Sequence, residues 1–253
     1  MTIFYNLKII INKSSIIKLA IMINKIIRRL INMKAKQVVG EKAAEYVKDG
    51  MVVGLGTGST AYWAVEKIGE MVKKGLNIRA IPTSEETRKH AEELNIPLVS
   101  LSDVKHIDLT IDGADEVDTN LNLIKGGGGA LVREKIVAYE SKKLIIIVDD
   151  SKLVDTLGDF PLPVEVVHFG CDKTLLNLEK FDCQAKLRKD EKGVFVSDND
   201  NYIIDCNFEE INDSKTLNQE LNILPGVVES GLFVDMADMV IVGSNDGEIK
   251  ILE

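Results

Sequence analysis

Met51-Val-Val-Gly-Leu-Gly-Thr-Gly-Ser-Thr60 joins a short apolar run to a loop in which Gly54, Gly56 and Gly58 alternate with other residues. Met51–Leu55 has the length and composition of a buried strand, and the spacing predicts a helix from about Ala61 to Lys74. The same alternation extends outward. Upstream, Ala35, Val38, Val39, Ala43, Ala44 and Val47 recur at helical spacing until Lys48-Asp-Gly50 stops them. Downstream, Ile78–Pro82 reads as a strand, Ser84–Leu94 as a charged amphipathic helix, and Pro97–Leu101 and Ile107–Ile111 as strands. Leu144–Val148 is a nearly pure apolar strand. Strands and helices in alternation imply a parallel sheet covered by helices on both faces.

The pattern changes near Phe160-Pro-Leu-Pro163. Val164–Val166 and Gln184–Arg188 read as strands, Lys173–Leu178 and Lys215–Leu221 as helices. Val194–Val196 and Tyr202–Asp205 read as a hairpin across Ser197-Asp-Asn-Asp-Asn201. Gly231–Val234 and Met239–Val242 return as apolar strands, expected in the first sheet. The expected fold is therefore α/β, with a Rossmann-like parallel sheet (residues 33–158 and 229–253) and a small α+β, ferredoxin-like unit (159–228).

Residues 1–32 differ from the remainder of the 253-residue chain. They carry six basic side chains, no acidic one, and many Ile and Asn. Such bias fits a translated A/T-rich leader ahead of Met33. An amphipathic targeting or membrane-surface helix and a structural element are the other readings. No apolar run there reaches the ~18 residues of a membrane span. The net charge of −9 argues against a nucleic-acid surface. Cys171, Cys183 and Cys206 lack metal-ligand spacing and fit reduced thiols of a cytoplasmic protein.

Three stretches carry chemistry. Gly56 to Thr60 lies at a strand-to-helix junction, where backbone amides and the helix N-terminus favour a phosphate. It lacks the lysine of a P-loop and the spacing of a dinucleotide fingerprint, and a tight turn with a Ser/Thr cap also fits. Asp112-Gly-Ala-Asp115-Glu116-Val-Asp118 follows a strand, at the carboxyl end where open α/β sheets hold ligands. Its carboxylates suit sugar hydroxyls; a hard cation or a solvated acidic turn are the alternatives. Lys125-Gly-Gly-Gly-Gly-Ala-Leu-Val-Arg-Glu134-Lys brings a cation, a bare backbone at a helix start and a carboxylate to one place. That set can hold an anionic small molecule and move a proton on it. His90, His106 and His168 are scattered, and no hydrolase triad is apparent.

Taken together and in order, six blocks resemble type A ribose-5-phosphate isomerase. They are Gly54-Leu-Gly-Thr-Gly-Ser-Thr-Ala61, Asp112-Gly-Ala-Asp-Glu116, Lys125 to Lys135, Asp150-Ser-Lys152, Phe160-Pro-Leu-Pro-Val-Glu165 and Leu224-Pro-Gly-Val-Val228. The resemblance runs from Met33 to the C-terminus. It implies interconversion of ribose 5-phosphate and ribulose 5-phosphate in the pentose phosphate pathway, with no cofactor or required metal, by a homodimer or dimer of dimers. It makes Glu134 the general base, Asp112 an assistant in ring opening or proton transfer, and Lys125 the stabiliser of the enediolate oxyanion, helped by glycine amides. Lys36, Ser59 and Thr60 match phosphate ligands, with Thr57 and Gly58 lining the same turn. Gly113, Ala114, Asp115, Gly126, Gly127, Gly128 and Lys152 complete the expected substrate contacts. Val132, where many members carry Thr, and Asp149-Asp150, before Ser-Lys, are mild departures. A phosphosugar deaminase or lactonase would need a different base, and a sugar-phosphate sensor would carry a DNA-binding segment that residues 1–32 do not supply.

Overall fold

The computed structural model describes residues 21–22, 33–244 and 246–253. The leader expectation therefore falls almost wholly outside the described residues. Residues 33–44 are helical (α1). Then follow β1 (Val52–Leu55), α2 (Ala61–Lys73), β2 (Arg79–Pro82), α3 (Glu85–Glu93), β3 (Leu109–Gly113), β4 (Glu116–Val117), β5 (Leu123–Ile124), α4 (Leu131–Tyr139) and β6 (Leu144–Asp149). The second half contains β7 (Leu162–Val166), α5 (Cys171–Leu178), β8 (Gln184–Leu187), β9 (Lys189–Asp190), β10 (Gly193–Val194), β11 (Tyr202–Asn207), α6 (Ser214–Asn222), β12 (Val227–Ser230), β13 (Leu232–Phe233), β14 (Met239–Gly243) and β15 (Ile249–Leu252).

The central sheet has the order β15-β14-β6-β3-β1-β2. All its pairings are parallel except β14 with β15 at the edge. Residues alternate between its faces, as the strand period demands. Ile145, Ile147 and Ile241 pack with Val39 and Ala43 of α1, Ala64 and Ile68 of α2, and Ala91 of α3. Leu144, Ile146, Val148, Val240 and Val242 face the other way, with Ala138 of α4 and Phe233. The chain moves from β1 to β2 on one side and to β3 on the other, so the strand order reverses between β1 and β3. Ligands in open α/β sheets bind beyond the carboxyl ends of strands at such a point. The loops that leave β1 and β3 there are Gly56–Thr60 and Gly113–Asp115.

The second lobe is a four-stranded antiparallel sheet of order β12-β7-β11-β8. With α5 between β7 and β8, and α6 between β11 and β12, it follows the β-α-β-β-α-β ferredoxin-like path. Its own core holds Leu162, Val164, Val166, Leu178, Ile204, Cys206 and Leu221.

Three expectations need correction, and one further strand was not expected. Leu232–Phe233 does not enter the central sheet; it pairs with β5 in a small β13-β5-β4 sheet, because Lys125 N–H bonds Gly231 O and draws the segment beneath the tetraglycine turn. Pro97–Leu101 makes only the bridge Ala80↔Leu98 before a 3₁₀ turn capped by Ser100. Across 197–201 only Val196↔Tyr202 is bridged, since Gly193–Val194 turns back on Lys189–Asp190. The antiparallel edge strand β15, Ile249-Lys-Ile-Leu252, is an element not expected from the sequence; it pairs with β14 and is largely exposed.

Candidate active site

The β1–α2 turn is built as an anion cradle. Gly56 can have no side chain, because a Cβ there would lie 2.2 Å from Asp112 Oδ1. Gly58 takes φ +104°, a left-handed conformation natural to glycine. Thr60 sits at the N-cap of α2 but makes no side-chain cap bond. Thr60 lines the cavity that the turn encloses, at the positive end of the helix dipole. Lys36 of α1 reaches in and donates from Nζ to Ser59 Oγ at 2.9 Å.

Thr57 is held from behind. Its N–H donates to Asp112 Oδ1 at 3.0 Å, and its hydroxyl lies 2.7, 2.9 and 3.2 Å from the hydroxyls of Thr83, Ser84 and Thr87. This buried hydroxyl knot was not expected from the sequence. Its only signal there is Ser84 three residues before Thr87, at the start of a charged helix. Thr57 thus spends its hydroxyl on fixing the turn.

Asp112, at the end of β3, is fully covered. Oδ1 also accepts from Gly113 N–H at 2.7 Å, and Oδ2 lies 3.0 Å from Lys125 Nζ. Lys125 is equally buried and has three partners: Asp112, Glu134 Oε1 at 3.4 Å and the carbonyl of Gly113 at 2.5 Å. Burial opposes its charge, yet Asp112 and Glu134 prevail and hold the ammonium above its usual pKa. Phe233 lies under Nζ, its ring centre 5.4 Å away. For Asp112, burial raises the pKa against the pull of Lys125 and the amides.

Glu134 projects from the first turn of α4 into the same space. Oε1 faces Lys125, while Oε2 is buried and has no hydrogen-bond partner among the described residues. Burial pushes the pKa up to about 8; Lys125 opposes this, and Asp112 and Asp115 add to it. A carboxylate in apolar, acidic surroundings gains basicity near neutral pH. The tetraglycine turn then closes the cavity wall. Gly127 N–H donates to Asp115 Oδ2 at 2.7 Å, and a Cβ on Gly127 would sit 2.6 Å from Asp115 Oδ1. Lys152 stands on the 3₁₀ turn after β6, which Asp149 caps by accepting from Ser151 N–H.

One cavity of about 140 Å³ gathers these groups. It is lined by Lys36, Thr57, Gly58, Ser59, Thr60, Gly113, Ala114, Asp115, Lys125, Gly126, Gly127, Gly128, Glu134 and Lys152. Every sequence-derived site residue is on its wall except Asp112, which lies one layer beneath. Among the described residues no cluster of His, Cys, Asp and Glu has metal-binding geometry. Two larger surface grooves, of about 560 and 730 Å³, flank α3 and contain neither Lys125 nor Glu134.

An anion cradle, a buried lysine and a raised-pKa carboxylate around one small cavity define a phosphosugar enzyme that works by proton transfer. The family model for ribose 5-phosphate isomerase A (phosphoriboisomerase A) matches residues 79–247. The ribose-5-phosphate isomerase A of Bacillus cereus (strain ATCC 10987 / NRS 248) is 55% identical over 216 residues, 85% of this chain and 98% of that one. That of Bacillus mycoides (strain KBAB4) is 51% identical, again over 85% and 98%. Among solved structures, ribose 5-phosphate isomerase from Plasmodium falciparum superposes with a TM-score of 0.85 at 43% identity, covering 87% of this chain and 98% of its own. A D-ribose-5-phosphate isomerase in complex with phospho-erythronic acid gives 0.84 at 43% identity, covering 87% and 97%. The chain belongs to the ribose 5-phosphate isomerase A family, and it is an isomerase.

Proposed function

We propose that the protein interconverts D-ribose 5-phosphate and D-ribulose 5-phosphate through a cis-enediolate, with Glu134 as the base. The observation that carries this reading is the orientation of Glu134: one oxygen is held by Lys125, and the other is buried, unpartnered and on the cavity wall.

The phosphate sits on the Gly58–Thr60 turn with Lys36 beside it, and serves as a remote handle that orients the reacting carbons. Glu134 Oε2 removes the proton from C2 of the open-chain aldose. The electron pair forms the C1–C2 double bond, and the carbonyl oxygen becomes the oxyanion. Lys125 and the tetraglycine amides stabilise that charge where it develops. The hydroxyl proton moves between the two oxygens, and Glu134 returns its proton to C1, leaving the ketone at C2. Asp112 fixes Lys125 at rest. As Lys125 turns to the oxyanion, Asp112 Oδ2 is released to assist proton transfer among the sugar oxygens and ring opening. Asp115 and Lys152 take the sugar hydroxyls.

The same reading makes 33–158 with 229–253 the catalytic domain and 159–228 a smaller companion. It also makes the protein a cytoplasmic homodimer or dimer of dimers that meets neither nucleic acid nor membrane. Among the described residues no helix is long and apolar enough to cross a membrane.

The test is conversion of ribose 5-phosphate to ribulose 5-phosphate with EDTA present, run in D₂O. Turnover with solvent deuterium entering C1 is expected, because an acid proton on a carboxylate exchanges. Binding of ribose 5-phosphate without turnover would replace the isomerase reading with a sugar-phosphate sensor.

A further inference from the structure

We infer that Arg188, from the small lobe, is a positioning residue that aims the tetraglycine amides at the developing oxyanion. The inference rests on the site assignment proposed above and adds a role for the second lobe.

Arg188 follows β8 and is mostly buried. Its guanidinium pairs edge-on with Asp205 of β11, through Nε at 2.9 Å and through Nη2. Its remaining nitrogen, Nη1, crosses to the large lobe and donates to the carbonyls of Gly126 at 2.9 Å and Gly127 at 3.1 Å. A trans peptide points its C=O and N–H in opposite directions, and the described residues contain no cis peptide. Fixing the two carboxyl-side oxygens toward Arg188 therefore turns the following amides, Gly127 N–H and Gly128 N–H, toward the cavity. The first already obeys: Gly127 N–H donates to Asp115 Oδ2 at 2.7 Å. The second has no acceptor among the described residues, and Gly128 lines the cavity. Gly128 N–H is thus a fixed donor left for the substrate.

A second small-lobe side chain grips the same turn. Phe195 packs on the bare Cα of Gly129, where a Cβ would lie 2.4 Å from its ring edge. The Arg188 guanidinium lies 5.7 Å from the centre of that ring. Four glycines in a row have a large conformational entropy to lose on ordering. A planar guanidinium can hold Asp205 with its Nε/Nη2 fork and still present Nη1 to two adjacent carbonyls, and an ammonium cannot do both.

The contacts made by a transition-state donor raise kcat, while the phosphate cradle that sets ground-state affinity lies on the other lobe's loop. Loss of one oxyanion donor costs about 10²–10³ in kcat, so its misalignment in Arg188→Ala is expected to cost roughly 10-fold or more. KM for ribose 5-phosphate should stay within about threefold. Methylguanidinium, filling the vacated position, should restore much of the rate. Arg188→Lys keeps the charge beside Asp205 but not the fork; it should lose a similar factor and resist rescue.

Wild-type kcat in both variants would overturn the inference, as would a change confined to KM. So would a rate loss that follows the loss of folded protein and is indifferent to methylguanidinium. If Arg188→Ala does not fold, Arg188→Lys decides by its kcat alone. Glu134→Gln, assayed beside them, separates two failures. If it is inactive while the Arg188 variants are normal, only the positioning role falls. If it is active, the site assignment beneath the inference falls too.

Discussion

At the scale of single residues, the sequence shows which side chains matter and conceals their protonation. Lys125 and Glu134 stand out because four glycines separate a cation from a helix that begins with a carboxylate. Their burial does not show, since an isolated Glu in Val-Arg-Glu-Lys reads as a surface residue. Folding removes it from water, and that burial, opposed by Lys125 and aided by Asp112 and Asp115, pushes its pKa up to about 8. Two consequences follow. The base must be ionised to act, so kcat/KM for ribose 5-phosphate should rise about tenfold per pH unit below 8 and level off above it; a flat profile between pH 6 and 9 would contradict the raised value. Stability runs the opposite way. The native state keeps the Glu134 proton up to about pH 8, whereas the unfolded chain releases it near its ordinary value. Between those limits the unfolded state binds fewer protons, so stability falls as pH rises. The melting temperature of Glu134→Gln should therefore gain on that of the wild type from pH 5 to pH 8. At the other end of the substrate, Lys36→Ala or Ser59→Ala should raise KM severalfold and leave kcat within a small factor; an unchanged KM would misplace the phosphate.

At the scale of elements, strongly periodic segments were legible and supporting contacts were not. β1, α2, α3, β3 and β6 fall where apolar period and breakers put them, because each is packed by its own local pattern against the sheet. The Thr57–Thr83–Ser84–Thr87 knot joins β1, β2 and α3 at the sheet's edge and carries no period of its own. Ser84 also caps α3 by accepting from Thr87 N–H at 3.1 Å. Ser84→Ala removes this cap and one anchor of the phosphate turn. It should cost about 1 kcal/mol, the usual value of an N-cap, read by urea denaturation, together with a modest rise in KM. A loss of stability without any change in KM would mean that the knot holds the helix and not the turn.

At the scale of the whole molecule, the two lobes are tied by polar contacts between residues distant in sequence, and these no local reading finds. Arg133, beside the base on α4, donates to Asn199 Oδ1, to the carbonyl of Asp198 and to Glu85 Oε1. The loop it holds is set by buried Glu165, whose Oε1 accepts from Ser197, Asn199 and Asn201. In the sequence, 197–201 is simply a polar turn; its asparagines acquire meaning only when β7 and α4 are brought beside it. Arg133→Ala, which removes partly exposed, charge-assisted bonds, should cost about 1 kcal/mol and lower Tm by roughly 2–4 °C. Calorimetry would measure it, and an unchanged Tm would show that the seam adds nothing to stability.

The central claim is that one buried carboxylate carries the proton between C2 and C1. Its most direct measurement is steady-state turnover of ribose 5-phosphate by the wild type and Glu134→Gln, with substrate affinity measured on the same preparations. The amide preserves shape and removes the base, so kcat should fall about 10²–10⁴-fold while ribose 5-phosphate still binds. A kcat near that of the wild type would contradict the account.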